Sequence, residues 1–208
     1  MSNLESQVKT LPRSPGVYFF KNSKGEVLYI GKGNNLKNRV SSYFKDELSR
    51  GPGIEQMLLK ATEVEERVCD SEIEALLLEA KLIKEYQPKY NARLKDDKSF
   101  NVIRISREEE YPRLLLVRQK NLAYEKEKHK KSRFFGPYTS AGQLRQALKI
   151  LRRIFPFCNL TPNEKKRALK LNRPCLYYSL NLCPGVCVNK VPVLEYRQII
   201  KGLIDFLF

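Results

Sequence analysis

The chain has 208 residues, 42% of them hydrophobic, so it is long enough for one or two domains with a buried core. Its formal net charge is +16; residues 101–208 hold 22 basic and eight acidic residues, whereas residues 1–100 hold 17 and 15. The one-sided excess predicts a polyanion partner, namely nucleic acid. The single histidine, His129, in the Lys-rich, loop-like stretch 126–133, excludes sites with two histidine ligands.

The N-terminal residues 1–10 are polar and lack the apolar stretch of a signal peptide. No apolar run in the sequence approaches the roughly 20 residues that cross a bilayer. We therefore expect a soluble, cytoplasmic protein without a membrane partner.

The first half predicts a β-hairpin followed by helices. Two β-rich runs, 16–21 and 26–30, flank the turn residues 22–25. Two short helices, at 36–44 and 54–63, and a strand at 64–69 follow. Ser71 with Glu74 three residues later forms a capping-box pattern, which predicts a helix that runs to about Tyr86.

The second half predicts three strands and two helices. The strands are expected at 101–106, 114–119 and 134–138. A basic amphipathic helix is predicted at 142–154, and another amphipathic helix at 194–208. Residues 157–193 are rich in Cys, Pro and Asn and show little regular periodicity.

Glu79 occupies an unusual position on the long predicted helix. On a helical wheel, apolar residues flank it on both sides, whereas Glu74, Lys81 and Glu85 share an ordinary solvated face. A carboxylate among apolar residues is costly unless it is paired or binds a cation. The pattern alone leaves two interpretations open: a metal ligand, or an acid at the helix edge that pairs with an Arg.

Phenolic side chains lie within the predicted hairpin, and cationic and phenolic side chains come just after it. Tyr18 and Tyr29 lie in its two strands, and Lys32 comes just after the second. Arg39 and Tyr43 are four residues apart, so they share a helix face. Together with a cation on Glu79, these groups suffice for phosphodiester hydrolysis. The alternative for the tyrosines is packing with one hydrogen bond each.

These residues resemble the GIY-YIG signature of nucleases. Gly16-Val17-Tyr18 and Tyr29-Ile30-Gly31 resemble its two halves, and Lys32, Arg39, Tyr43, Glu79 and Asn91 follow in the family's order. The segments 90–96 and 135–138 are similar to those of the incising component of the bacterial ABC excinuclease, and of a related stand-alone nuclease. The first half reads Gly-Val-Tyr rather than Gly-Ile-Tyr, a mild departure.

The resemblance implies an α/β (α+β) nuclease domain with a small antiparallel sheet flanked by helices. It implies metal-dependent incision on the 3′ side of a lesion in double-stranded DNA, with the damage-loading component of the excinuclease as partner. Glu79 would hold Mg²⁺ or Mn²⁺, Tyr18 or Tyr29 would be the general base, and Asn91 would support the site. Lys32, Arg39 and Tyr43 would contact the scissile phosphate or its water.

Four of the five cysteines are clustered: Cys158, Cys175, Cys183 and Cys187. Without an export signal, this clustering favours a metal site over disulfides. Spacing leaves zinc and a [4Fe–4S] cluster open, because only the last two cysteines form a short pair. The resemblance to the excinuclease component implies the [4Fe–4S] cluster. Cys69 stands alone and is expected to be a buried small side chain.

The positive charge concentrates in residues 118–173, with 16 Lys and Arg against three Glu. The predicted basic helix within this segment supplies Lys149, Arg152 and Arg153 as DNA contacts. We expect a nuclease domain at 1–98, a basic strand and helix region at 99–156, the four-cysteine region at 157–193 and a further helix at 194–208.

Two other functions compete with the nuclease. A non-catalytic, metal-stapled nucleic-acid-binding module would explain the charge and the cysteines, but it has no use for Glu79. A different nuclease built on Glu79 and Lys81 would place its two groups about 160° apart on the helix.

Overall fold

The computed structural model describes residues 2–45, 52–93 and 101–207. The chain divides into two compact units, Met1–Lys98 and Ser99–Phe208. Each is a small antiparallel sheet with helices, so the predicted mixed α/β architecture is confirmed. Among the described residues, none of the helices has the length and apolar character needed to span a bilayer.

The first unit is built on a three-stranded sheet in the order β2-β1-β3. All neighbouring strands are antiparallel, and Phe19 in the central strand lies opposite Ile30 on one side and Glu65 on the other. The elements are α1 (Ser2–Thr10), β1 (Gly16–Lys21), β2 (Val27–Gly33), α2 (Leu36–Ser41), α3 (Pro52–Lys60), β3 (Glu63–Val68), α4 (Glu72–Tyr86) and α5 (Lys89–Arg93).

Alternation along β1 separates two apolar cores. Tyr18 and Phe20 belong to a core that contains Leu36 and Val40 of α2 and Met57 of α3. The neighbouring residues Val17 and Phe19 pack with Ile30 and with Leu82 and Ile83 of α4. Because successive side chains of a strand point to opposite faces, the sheet is covered by helices on both sides.

β2 extends beyond the predicted end of the hairpin. Pairing continues until Gly33 lies opposite Gly16, so that Lys32 lies within the strand, opposite Val17. The predicted first helix ends as α2 at Ser41 and continues as a short 3-10 helix at Ser42–Phe44.

The predicted start of α4 is confirmed. The Ser71 hydroxyl accepts a hydrogen bond from the Glu74 backbone N–H at 3.1 Å. The Glu74 carboxylate accepts from the backbone N–H of Asp70 at 2.8 Å rather than from Ser71, so the capping box is shifted by one residue. Gln87 ends the helix in the left-handed region, with φ of 44°, before Pro88.

The N-terminal helix α1 is an element that the sequence analysis did not predict. Leu4, Val8 and Leu11 are buried in the first unit's core, at the spacing of one helix face. The Gln7 side chain accepts a hydrogen bond from the Val64 backbone N–H at 2.9 Å. The other residues of the segment are mostly polar, so the sequence did not indicate an amphipathic helix here.

The second unit contains a sheet in the order β5-β4-β6, again antiparallel. Its strands lie within one residue of the predicted bounds. The elements are β4 (Asn101–Ile105), β5 (Leu114–Arg118), α6 (Leu122–Lys128), β6 (Arg133–Tyr138), α7 (Ala141–Ile154), α8 (Pro162–Lys170), α9 (Leu176–Ser179) and α10 (Val193–Leu207).

Helices occur in two segments predicted to lack regular structure. α6 includes the beginning of the Lys-rich stretch around His129. α8 begins with a complete capping box between Thr161 and Glu164 and carries Pro162 in its first turn. That signal is of the same kind as the one at Ser71, so α8 could have been found from the sequence.

A buried ion network accounts for the single histidine. Arg104 donates to Ser132 at 3.1 Å, to Glu108 at 2.8 Å and to Glu125 at 3.0 Å. His129 Nδ1 lies 3.0 Å from the same Glu108 carboxylate. His129 therefore helps to join α6 to β4 and contributes to packing rather than to a catalytic triad.

Candidate active site and cysteine site

Three tyrosines meet on one face of the first sheet. The hydroxyls of Tyr18 and Tyr43 lie 2.8 Å apart, and the Tyr29 ring lies 6.4 Å from the Tyr43 ring, centroid to centroid. A side-chain hydrogen bond with Tyr43 also contributes to the raised pKa of Tyr29, behind the larger effect of burial. Tyr43 is thus the central hydroxyl of the group. Tyr18 is fully buried, whereas Tyr29 is partly exposed.

The glycine of the second half-motif makes room for this arrangement. A Cβ atom at Gly31 would overlap the Tyr18 hydroxyl, because the two residues are paired across the hairpin. Similarly, a Cβ atom at Gly33 would lie 2.8 Å from Cβ of Arg39. Both glycines are therefore required by close approach of side chains that belong to the candidate site.

Arg39 projects from α2 toward the tyrosines. Its Nη2 donates to the Tyr43 hydroxyl at 3.4 Å, and the guanidinium carbon lies 5.2 Å from the Tyr43 ring centroid. The proximity of the tyrosine hydroxyls, that of Tyr18 above all, raises the pKa of Arg39. Arg39 as a whole remains exposed, so the cation is available to a ligand from solution.

Glu79 is buried, with 3% of its surface exposed, among the apolar residues of α4. Its charge reaches the residues of β2. Burial lowers the pKa of Lys32, and Glu79 acts in the opposite direction. Burial raises the pKa of Tyr29, and Glu79 adds to that rise. The carboxylate therefore lies near β2, the strand that carries both residues and against which α4 packs.

Lys81 does not share this environment. It is exposed, two residues along α4 from the buried Glu79. The two side chains leave the helix in different directions, which argues against a nuclease site built on this pair.

A divalent cation fits the donor set around Glu79. Among the residues that the structure describes, no group of three or more His, Cys, Asp or Glu side chains could enclose a metal ion. Mg²⁺ does not need such a cage, since it is often held by one or two carboxylates, waters and substrate phosphates. One buried carboxylate beside a partly exposed phenol meets that description.

Asn91 holds β2 rather than facing a substrate. Its side-chain Oδ1 accepts from the backbone N–H of Ile30 at 2.8 Å, and its Nδ2 donates to the Ile30 carbonyl at 2.8 Å. β2 is the edge strand of its sheet, so the amide satisfies the outward backbone groups next to Tyr29 and Gly31. The family resemblance implied a supporting role for Asn91 without indicating these bonds. Residues 94–96 of the similar segment lie outside the described residues.

The four clustered cysteines form two linked pairs. A hydrogen bond with Cys183 and burial raise the pKa of Cys158, and the same bond lowers the pKa of Cys183. The Cys187 sulfur accepts from the backbone N–H of Cys175 at 3.3 Å. Charges on Cys187 and Cys183 raise the pKa of Cys175 after the larger effect of burial, so the pairs are close to each other.

The thiols as placed do not enclose a single metal ion. All four cysteines are described, and no three of them satisfy the arrangement that one ion requires. A tetrahedral zinc site would need all four sulfurs about 2.3 Å from one point. The fifth cysteine, Cys69, is buried in the first unit, as predicted.

Arg152 differs from its predicted role as a DNA contact. Only 7% of its surface is exposed. Its guanidinium donates to the carbonyls of Phe157 at 2.7 Å and Leu182 at 3.1 Å, and it stacks 3.7 Å from the centroid of Tyr177. Arg152 is therefore a structural residue that joins the segments just before Cys158 and Cys183.

The sequence contained a signal for this burial. Arg152 is four residues beyond Leu148 and eight beyond Leu144, both buried on the inner face of α7. The other two predicted DNA contacts, Lys149 and Arg153, are exposed.

We expect Arg152→Gln to lower the free energy of unfolding of the second unit by about 2–3 kcal/mol. The substitution leaves one buried and one partly buried carbonyl without their charged donor and removes the stacking on Tyr177. Urea unfolding followed by circular dichroism measures the loss. The neighbouring exposed Arg153, changed to Gln, is the matched control and should have no effect above about 0.5 kcal/mol. Equal stability of the two variants would contradict the structural role.

Two families match consecutive parts of the chain. Residues 14–92 match the UvrC-like GIY-YIG domain, and residues 100–206 match the middle domain of the UvrC/Cho excinucleases. UvrABC system protein C of Clostridium kluyveri is 42% identical over 207 residues, which is 100% of this chain and 32% of that protein. The protein of the same name from Carboxydothermus hydrogenoformans is 43% identical, over 98% of this chain and 32% of its own length.

A solved structure is also similar. It is the GIY-YIG N-terminal endonuclease domain of UvrC from Thermotoga maritima, bound to its catalytic divalent cation, magnesium. The identity is 41%, the match covers 42% of this chain and 93% of that one, and the TM-score is 0.38. The present chain spans about a third of the length of its curated relatives. Because the middle-domain match covers more than half of the chain, and the GIY-YIG domain match precedes it, the chain belongs to the UvrC excinuclease family.

Proposed function

We propose that the first unit is a divalent-metal-dependent endodeoxyribonuclease that incises damaged DNA on the 3′ side of a lesion, in cytoplasmic nucleotide excision repair. The observation that carries this proposal is the buried carboxylate of Glu79 on α4, which packs against β2 and whose charge acts on both Tyr29 and Lys32 of that strand. Membership in the UvrC family supports DNA as the substrate and UvrB, the damage-loading component of the excinuclease, as the partner.

Glu79 would hold Mg²⁺ or Mn²⁺, and a bound divalent cation supplies a Lewis acid that stabilises the charge of a phosphodiester in transition. Arg39 adds positive charge beside Tyr43, and Lys32 adds positive charge within reach of Glu79. Such preorganised charge acts most strongly where burial limits solvent. Asn91 is a positioning residue, because its bonds reach the Ile30 backbone only.

We assign the general base to Tyr29 rather than Tyr18. Tyr18 is fully buried, and its hydroxyl is bonded to Tyr43. Tyr29 is partly exposed and feels the charge of Glu79. Burial is the main cause of the raised pKa of Tyr29, and the charge of Glu79 adds to it; a cation on Glu79 would remove that added part and ease loss of the phenol proton. Tyr18 then orients the Tyr43 hydroxyl.

The two tyrosines give a matched pair of variants. We expect Tyr29→Phe to lower the single-turnover incision rate by roughly a thousandfold, the range in which general-base groups contribute. Tyr18→Phe removes one hydrogen bond to Tyr43 and should lower the rate by roughly tenfold. Equal losses, or a larger loss for Tyr18→Phe, would reverse the assignment.

Incision of an end-labelled duplex with a single lesion tests the proposed activity. The protein is assayed with and without Mg²⁺ and with and without UvrB, and the cut position is mapped on a sequencing gel. Metal-dependent cleavage 3′ to the lesion supports the proposal. Tight DNA binding without cleavage under all four conditions would favour the non-catalytic nucleic-acid-binding module.

For the second unit we propose that Cys158, Cys175, Cys183 and Cys187 ligate a [4Fe–4S] cluster, with Zn²⁺ as the alternative. Four buried or partly buried thiols in two linked pairs support a shared site. A [4Fe–4S] cluster takes one thiolate on each of its four irons, so its ligands lie further apart than those of a single metal ion. Two separated cysteine pairs therefore fit a cluster better than they fit one ion. Anaerobic purification with iron, sulfide and zinc analysis decides: a colourless protein with one zinc would reverse the choice.

A further inference from the structure

The outer face of α7 carries two parallel stripes. Arg145, Lys149 and Arg153 are all exposed, and their spacing of four residues places successive cations about 6 Å apart along the helix. Beside them lies an uncharged stripe: Gly142, Gln146, Ile150 and Ile154. Ile150 is 42% exposed and Ile154 is 63% exposed. The cationic stripe covers about 80° of the helix circumference and the uncharged stripe about 120°.

The face is basic without compensation. α7 contains no Asp or Glu. The surrounding segment 118–173 holds three acids, of which Glu125 is bonded to Arg104 and Glu164 to Thr161. An acidic polymer is therefore the partner that complements this surface electrostatically. Two adjacent exposed isoleucines are not needed for phosphate contacts, so they point to an additional apolar ligand.

DNA with disrupted pairing offers both kinds of ligand. Its phosphates suit the cations, and its unstacked bases expose apolar faces that aliphatic side chains contact in DNA-bending proteins. We propose that the outer face of α7 docks unpaired or distorted DNA, with Arg145, Lys149 and Arg153 on the phosphates of one strand and Ile150 and Ile154 against unstacked bases. This proposal rests on the part of the proposed function that makes DNA the ligand of the chain. It does not require that the first unit cleaves DNA.

Fluorescence anisotropy with two labelled duplexes tests it, one fully paired and one with a central bubble of unpaired bases. All measurements use the Glu79→Gln background without divalent cations, so a failure of the nuclease proposal leaves this test intact. The triple change Arg145→Gln, Lys149→Gln and Arg153→Gln should weaken binding to both duplexes. It should also reduce the slope of log K against log salt by about 2.7, at about 0.9 per lost phosphate contact.

The isoleucines should discriminate between the two duplexes. Ile150→Ala with Ile154→Ala should weaken binding to the bubble duplex by roughly tenfold and leave the paired duplex unchanged. Matched controls lie on α10, where Lys201 and Leu194 are also exposed. Lys201→Gln and Leu194→Ala should change neither affinity.

An unchanged salt slope in the triple variant would overturn the proposal. If the two alanine substitutions weaken binding to both duplexes equally, or to neither duplex, the proposed contact with bases is overturned. Circular dichroism spectra of the variants should match the parent, because all five changed side chains are exposed.

Discussion

We expect Glu79→Gln to abolish incision, with a loss of at least roughly a thousandfold in single-turnover rate. The amide has the same size as the carboxylate but carries no charge, so a divalent cation loses its protein ligand. Affinity for lesion-bearing DNA should stay within about twofold, because the buried side chain presents no surface to the polymer. The measurement is single-turnover incision of an end-labelled duplex with saturating Mg²⁺, paired with anisotropy for binding.

Glu72→Gln is the matched control on the same helix. Glu72 is exposed, and its charge also reaches Lys32. Its loss should change incision by less than about threefold, since an exposed charge is screened by solvent. Loss of binding in step with loss of activity in Glu79→Gln would contradict the metal role, and so would equal effects of the two substitutions.

The second large effect is expected at Arg39. Replacement by Ala should lower the incision rate by roughly 10³–10⁵-fold, the contribution of arginines that stabilise phosphoryl charge in other enzymes. Arg39 approaches the Tyr43 hydroxyl and stays accessible to a phosphate. Its guanidinium can bond two oxygens at once, so Arg39→Lys should recover only a small part of the loss.

Arg67→Ala serves as the control for Arg39. Arg67 is an exposed cation of β3 that lies 5.3 Å from the Phe19 ring centroid, away from the tyrosine group. We expect its rate to remain near that of the unsubstituted protein. A loss of less than about tenfold in Arg39→Ala would remove this residue from the proposed transition-state contacts.

Local sequence signals predicted the scaffold of the site. Two β-rich runs on either side of turn residues identified β1 and β2, and the Ser71 cap located α4. Periodicity along α4 placed Glu79 among apolar residues, and the structure buries it. These features depend on residues within about one helix or one strand pair, where side-chain spacing determines which face is buried.

Long-range features could not be predicted in the same way. The bonds between Asn91 and Ile30 join residues 61 positions apart, and nothing local indicates them. The charge of Arg152 suggested a DNA contact, although its spacing from Leu144 and Leu148 places it on the inner face of α7. The apolar side of α1 rests on Leu4 and Val8, with Leu11 just beyond the helix end, too few apolar residues to stand out in a polar segment. Charge and composition describe the average surface of a protein, whereas the burial of one particular side chain depends on the tertiary fold.

Asn91 has a further consequence for how the sheet of the first unit ends. An open β-strand edge is a template on which another chain can add a strand and start aggregation. At Ile30 that edge is already occupied by an amide from the same molecule, which imitates a neighbouring strand for one residue. At Ile30, next to Tyr29, the edge strand is thereby closed to the addition of another strand.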